Sequence, residues 1–313
     1  MRQEAYFCTV KELDELGKNN IPRQLISHTH LIYSSPATLA FNSPGAEGFG
    51  VKRAGLAVPD SVMLIVSPGC CGRNTSVLSS MRAYQDRFYY LLMDETDIVT
   101  GRHLKKIPKA VAEICEGLKK KPSVVMICIT CVDALLGTDM ERVCHKAEEY
   151  AGVPVRPCYM YALTREGRKP PMVHVRQSVY SLLEPKKKKG NVVNLLGYFS
   201  PLTDDCELYD LLHGAGVKTI HEISRCKDYA QYQTMSEANF NLVLHPEARF
   251  AAEDFHDRLK IPYIELRRLY QIDKIASQYR AFAAALGVEF EDEIPRKASE
   301  EAVSYTHLTL PTT

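Results

Sequence analysis

The chain has 313 residues, 45% of them hydrophobic and 25% charged, which describes a globular chain long enough for about two domains with separate cores. Its 39 basic and 38 acidic residues leave a formal net charge of +1, so there is no global reason to expect nucleic acid or a membrane surface as partner. No apolar run approaches the roughly 18–20 residues that span a bilayer, and the start lacks the apolar core of a signal peptide, so the expected location is the cytoplasm.

From about residue 60, short apolar runs alternate with longer amphipathic stretches. Val62–Val66 reads as a buried strand that runs into the turn Ser67-Pro68-Gly69-Cys70-Cys71-Gly72-Arg73. Val77–Leu92 and Leu104–Leu118 read as helices, Val124–Ile129 as a second buried strand, and 132–150 as the next helix. A third strand is expected at Val153–Arg156. Arg156, Arg165, Arg168, Lys169, His174 and Arg176 then form a basic stretch, read as a solvated loop or as a patch for an anionic substrate or an acidic partner surface. Four lysines between Glu184-Pro185 and Gly190 suggest a solvated hinge, with a docking site for an acidic partner as the alternative.

After that interruption the rhythm restarts. Strands are expected at Val192–Leu196, Val217–His221, Asn241–Leu244 and Tyr263–Glu265. Helices are expected at Asp205–His213, Glu247–Leu259 and Gln271–Ala285. Near-continuous apolar strands alternating with helices imply an α/β fold of repeated doubly wound, Rossmann-like domains with mainly parallel sheets. The expected organisation is an N-terminal α/β domain over 1–185 and a second over 190–285. Residues 286–302 would be a linker or the start of a truncated third domain. Residues 303–313 have neither helical period nor charge pattern and resemble adapter read-through, so the natural C-terminus is expected to lie beyond them.

Ten cysteines in a cytoplasmic chain point to metal or redox work in preference to a disulfide framework. Cys70 and Cys71 follow the first buried strand; Cys128 and Cys131 close the second. If these strands are neighbours, about 4.8 Å apart, the four sulfurs can converge at one sheet edge. Each pair precedes an expected helix, whose N-terminal N–H groups favour thiolate over thiol. An iron–sulfur cluster, a tetrahedral zinc site and a thioredoxin-like Cys-Ile-Thr-Cys couple all suit that spacing. The bland reading, small buried hydrophobes, is assigned to Cys115, Cys144, Cys158 and Cys206. No Walker sequence appears, so ATP is not expected to bind this chain, and Gly214 and Gly216 follow a helix and read as its stop.

Four segments in order resemble the nitrogenase component 1 type family. Ser67-Pro68-Gly69-Cys70-Cys71-Gly72 is similar to the family's glycine-rich turn, with Cys71 at the cluster position. Asp94-Glu95-Thr96-Asp97-Ile98-Val99-Thr100-Gly101 resembles its acidic segment. Thr130-Cys131 through Gly137-Thr138-Asp139 resembles its Thr-Cys and Gly-Asp-Asp signature, with Cys131 as a second ligand. Asn191-Val192-Val193-Asn194-Leu195-Leu196-Gly197-Tyr198 is similar to the strand opening the family's second domain.

The resemblance implies an iron–sulfur-cluster-binding subunit of a nitrogenase-like reductase. Such a subunit accepts electrons from an ATP-dependent iron protein and pairs with a second component 1-like subunit as a homo- or heterodimer. The alternative it implies is a non-catalytic scaffold for metallocluster or tetrapyrrole assembly. Nitrogenase members carry a third cluster cysteine upstream, where this chain reads Ser43-Pro44-Gly45-Ala46. A [4Fe–4S] cluster, with Cys70 and Cys128 as substitute ligands, is therefore expected. Where nitrogenase anchors its active-site metallocofactor by a cysteine, Asn241-Leu242-Val243-Leu244-His245 places His245, which reads either as a cofactor or substrate contact or as a plain strand-end residue.

Overall fold

Two four-stranded sheets, every strand pair in them parallel, form the frame of the chain in this computed structural model, which describes residues 9–17, 19–20, 22, 44–69, 84–130, 132, 136–159, 169–267, 269 and 271–288. The first sheet has the order β2-β1-β3-β4, from β1 Val62–Ser67, β2 Phe88–Leu92, β3 Val125–Ile129 and β4 Val155–Tyr159. The second repeats the pattern as β6-β5-β7-β8, from β5 Val192–Leu196, β6 Thr219–His221, β7 Phe240–Val243 and β8 Tyr263–Glu265. This is the doubly wound α/β architecture expected from the apolar runs. Helices in chain order are α1 Val10–Leu16, α2 Pro44–Gly55, α3 Glu95–Thr100, α4 His103–Gly117, α5 Met140–Ala151, α6 Pro171–Tyr180, α7 Glu207–Gly214, α8 Tyr229–Gln233, α9 Arg249–Leu259 and α10 Ile272–Leu286.

Strand alternation sorts β1 between two cores. Val62, Leu64 and Val66 join Ile107 and Val111 of α4 and Val143 and Ala147 of α5 on one face. Met63 and Ile65 join Val51 and Ala54 of α2 and Val175 and Val179 of α6 on the other. That second core runs on into the second sheet, through Leu196 and Val243 and through Ala251 and Phe255 of α9. Helix α6 is thus the shared layer, packed on α2 and β4 and also on α9. Such near-complete burial of both strand faces is why the β1, β3 and β5 sequences are unbroken apolar runs. At the end of α2, helix and sheet touch closely: a Cβ on Gly55 would lie 2.7 Å from Met63 Cε and 2.8 Å from Cys158 Sγ.

Three expectations need correction. Residues 88–92, expected as the end of a helix, are the edge strand β2; Phe-Tyr-Tyr-Leu-Leu is aromatic and suits a half-buried pleated surface. The helix expected over 132–150 is interrupted after Leu136: Gly137 sits at φ 68°, and a helix capped by Asp139 starts at Met140. The basic stretch is not one solvated loop. Its last part is helix α6, started by Pro171 at its first turn, and Arg176 there is only 4% exposed. Residues Arg165 and Arg168 lie outside the described residues. The lysine run is partly tied down, since Lys188 donates to Ser236 O at 2.6 Å and Lys189 pairs with Glu237.

Candidate functional site

In each sheet the chain order reverses between the two central strands, β1 and β3 in one and β5 and β7 in the other. Ligands of doubly wound sheets lie beyond the carboxyl ends of the strands at such switch points.

At the first switch point Val66 pairs with Ile129, and the next residues of the two strands are Ser67 and Thr130. Both are buried, at 0% and 1% exposure, and neither hydroxyl has a hydrogen-bond partner among the described residues. A buried hydroxyl left unpaired costs about 1–3 kcal/mol, so two side by side mark a place where a polar group is wanted. In sequence, Cys70 and Cys71 come three and four residues after Ser67, and Cys131 directly follows Thr130. All three lie outside the described residues. At the end of β1, Ser67 O accepts the Met93 N–H at 3.0 Å, which brings in the acidic segment. There Asp94 caps α3, and Asp97, almost wholly buried, takes Lys106 Nζ at 2.6 Å, which holds its carboxyl below the usual range.

Cys128, by contrast, is among the described residues. Its side chain belongs to the core that contains Met126, Cys158 and the α2 and α6 side chains, and it is 0% exposed. Burial pushes its thiol up to about 12, opposed only partly by the Lys52 ammonium. Such a group is a neutral thiol at any physiological pH. Its partner in register, Cys158, is equally buried and is also pushed up by burial. Among the described residues no group of three or more His, Cys, Asp or Glu side chains is arranged to hold a metal ion.

The second switch point is fully described. Gly197 follows β5 with φ 139°, and a Cβ there would lie 2.8 Å from both the backbone N and the Cβ of His245, so only glycine lets the two strand ends approach. The His245 ring stands edge-on to Tyr198, with centroids 5.6 Å apart. Its Nδ1 accepts a long hydrogen bond, 3.4 Å, from the Glu247 N–H and lies 3.6 Å from Glu247 Oε2. In the neutral ring this bond puts the proton on Nε2, making that nitrogen a donor.

Glu247 in turn binds Arg176 of α6, with Oε2 and Nη1 2.7 Å apart and both side chains at most 6% exposed. The same guanidinium donates to Gly197 O from Nε and Nη2, at 3.2 and 2.6 Å, and to Met172 O, and it stacks over Phe199 at 5.0 Å. Burial pushes the Glu247 carboxyl up while Arg176 pulls it back, and Oε1 has no hydrogen-bond partner. His174, two residues before Arg176, stands edge-on to Tyr159 at the carboxyl end of β4. Sequence reasoning put His245 at this strand end and named Arg176 only within a basic stretch, and it did not single out Glu247. The usable signal was the Pro170-Pro171 helix start, which turns a basic loop into a helix with one buried face.

Comparisons with known proteins bear on the family and the fold. The profile of the family described as Nitrogenase component 1 type Oxidoreductase matches residues 47–307. The nitrogenase iron-molybdenum cofactor biosynthesis protein NifE of a Nostoc species is 27% identical over 239 residues, 74% of this chain and 49% of that protein. NifE of Klebsiella pneumoniae is 26% identical over 266 residues, 78% of this chain and 58% of that one. Among solved structures, nitrogenase Cp1 at pH 6.5 superposes with a TM-score of 0.60 at 17% identity, covering 80% of this chain and 59% of that chain. The likeness to that structure is one of fold. The chain spans about half the length of the curated relatives it matches. It belongs to the nitrogenase component 1 type oxidoreductase family, as its motifs suggested.

Proposed function

From its place in that family, we propose that the chain is the iron–sulfur-binding part of a nitrogenase-like component 1 subunit, working with a separate ATP-dependent iron protein. The observation that carries this reading is the first switch point. Two adjacent strand ends present buried hydroxyls with no partner among the described residues, and Cys70, Cys71 and Cys131 follow them in sequence. A [4Fe–4S] cluster takes four thiolates and supplies one-electron chemistry. Cys71 and Cys131 are the proposed principal ligands and Cys70 the third, with the fourth supplied across an interface by a second component 1-like subunit. Cys128 is left out of the set because its side chain is fully enclosed among the apolar side chains of the core shared with α2 and α6. His245 is the proposed contact for a second, active-site cofactor or for substrate, acting through Nε2 as a hydrogen-bond donor. Arg176 and Glu247 hold it in place. Anaerobically purified protein is expected to contain iron and acid-labile sulfide, with electron uptake on adding an ATP-dependent iron protein; absence of both elements sinks the reading.

A second reading is supported by the relatives, which are cofactor biosynthesis proteins. In it the chain is a scaffold that holds a metallocluster during assembly. Transfer of an intact cluster to an acceptor protein, without substrate turnover, distinguishes it from a reductase.

A further inference from the structure

A recess lies at the amino ends of the first sheet. It is bounded by α2, by the residues just before β1 and β2, and by the loops that follow β5 and β6, and it encloses about 590 Å³. That is within the roughly 300–1,000 Å³ of small-molecule sites. Its walls come from the amino ends of the first sheet, opposite to the ends that lead to Cys71 and Cys131, and from the carboxyl ends of the second.

The charges on these walls are unequal. Arg53 on α2 and Lys227 after β6 line the recess from two sides, and neither side chain has a hydrogen-bond or ion-pair partner among the described residues. Arg87 adds a third cation, held by the carbonyls of Leu56 and Ser61 at 2.8 and 2.9 Å and not by a carboxylate. The acid in the wall, Asp60, is engaged by Lys120 at 2.8 Å. Between the cations Phe199 and Met172 supply apolar surface in an otherwise largely polar lining, and the buried Ser224 hydroxyl has no partner among the described residues. A recess with an aromatic wall, cations that have no carboxylate partner among the described residues and an idle hydroxyl matches an anion attached to a flat apolar body.

We propose that this recess binds an organic anion with an aromatic or similarly flat body, its acidic groups held between Arg53 and Lys227 and its body against Phe199. Phe199 also stacks on Arg176, so the bound anion adjoins the group that holds His245. The proposal does not depend on the iron–sulfur reading, because it rests on described residues outside the proposed ligand set.

The test uses 8-anilino-1-naphthalenesulfonate as a fluorescent probe of the whole chain. Saturable binding at one site is expected, displaced by 1-naphthoate and by 1-naphthyl phosphate but not by neutral 1-naphthalenemethanol. The stronger of the two anionic competitors tells whether the natural ligand carries carboxylate or phosphate. Arg53→Glu with Lys227→Glu should weaken the probe about tenfold or more, as expected when attraction at two charges becomes repulsion. Both positions are exposed, so circular dichroism should be unchanged; Arg53→Gln with Lys227→Gln serves if reversal disturbs folding. Equal displacement by the neutral alcohol, or unaltered binding in both double variants, overturns the proposal.

Discussion

Removing Arg176 should cost more stability than any surface charge in the chain. Its guanidinium makes four hydrogen bonds, two to Gly197 O, one to Met172 O and one to Glu247 Oε2. Glu247 already has one oxygen without a partner, so Arg176→Ala leaves a buried carboxylate with neither oxygen paired. Breaking a buried pair by deleting one partner costs about 3–5 kcal/mol, whereas replacing both by apolar groups of similar volume is often nearly neutral. Arg176→Ala is therefore expected to lower unfolding stability by about 3–5 kcal/mol, and Arg176→Met with Glu247→Met to recover most of that loss. Urea unfolding followed by circular dichroism measures both. A loss below about 1 kcal/mol for the single variant, as at an exposed pair, would refute the view that this ion pair fastens α6 to the second sheet.

Other expectations follow from close contacts and from burial. Gly197→Ala combines a φ of 139° with a contact to His245 backbone N and should destabilise by about 2–4 kcal/mol in thermal melts, with wild-type stability as the contrary result. Gly55→Ala meets Met63 and Cys158 side-chain ends, which can shift, so a smaller loss of about 1–2 kcal/mol is expected. Cys128 should resist iodoacetamide at pH 8 in the native protein and react after unfolding, as read by peptide mass spectrometry. Its thiol is pushed up to about 12, while the unfolded chain releases that proton near pH 8.5. Between those values the native state binds more protons, so stability falls as pH rises, with a slope up to about 1.4 kcal/mol per pH unit that Cys128→Ala should remove.

Legibility followed burial symmetry. β1, β3 and β5 are enclosed on both faces, and their unbroken apolar runs were plain in the sequence. β2 is an edge strand with Tyr90 and Leu92 exposed, so its pattern imitates a helix end. Helix α6 was obscured because Arg176, a residue usually on the surface, is buried there by a partner 71 positions away in sequence. The same distance in sequence concealed Glu247, whereas His245 was visible because its strand ends beside a recognisable motif. Spacing alone does not say which face of β3 the Cys128 side chain takes. Strand alternation places it in the core with Met126 and Cys158.

The most direct test compares alanine variants of the cysteines for iron and acid-labile sulfide after anaerobic reconstitution. Cys71→Ala and Cys131→Ala are each expected to lose most of both elements, while Cys128→Ala, with circular dichroism unchanged, keeps them. Retention of iron and sulfide by Cys131→Ala, or their loss from a folded Cys128→Ala, would contradict a cluster held at the carboxyl ends of β1 and β3.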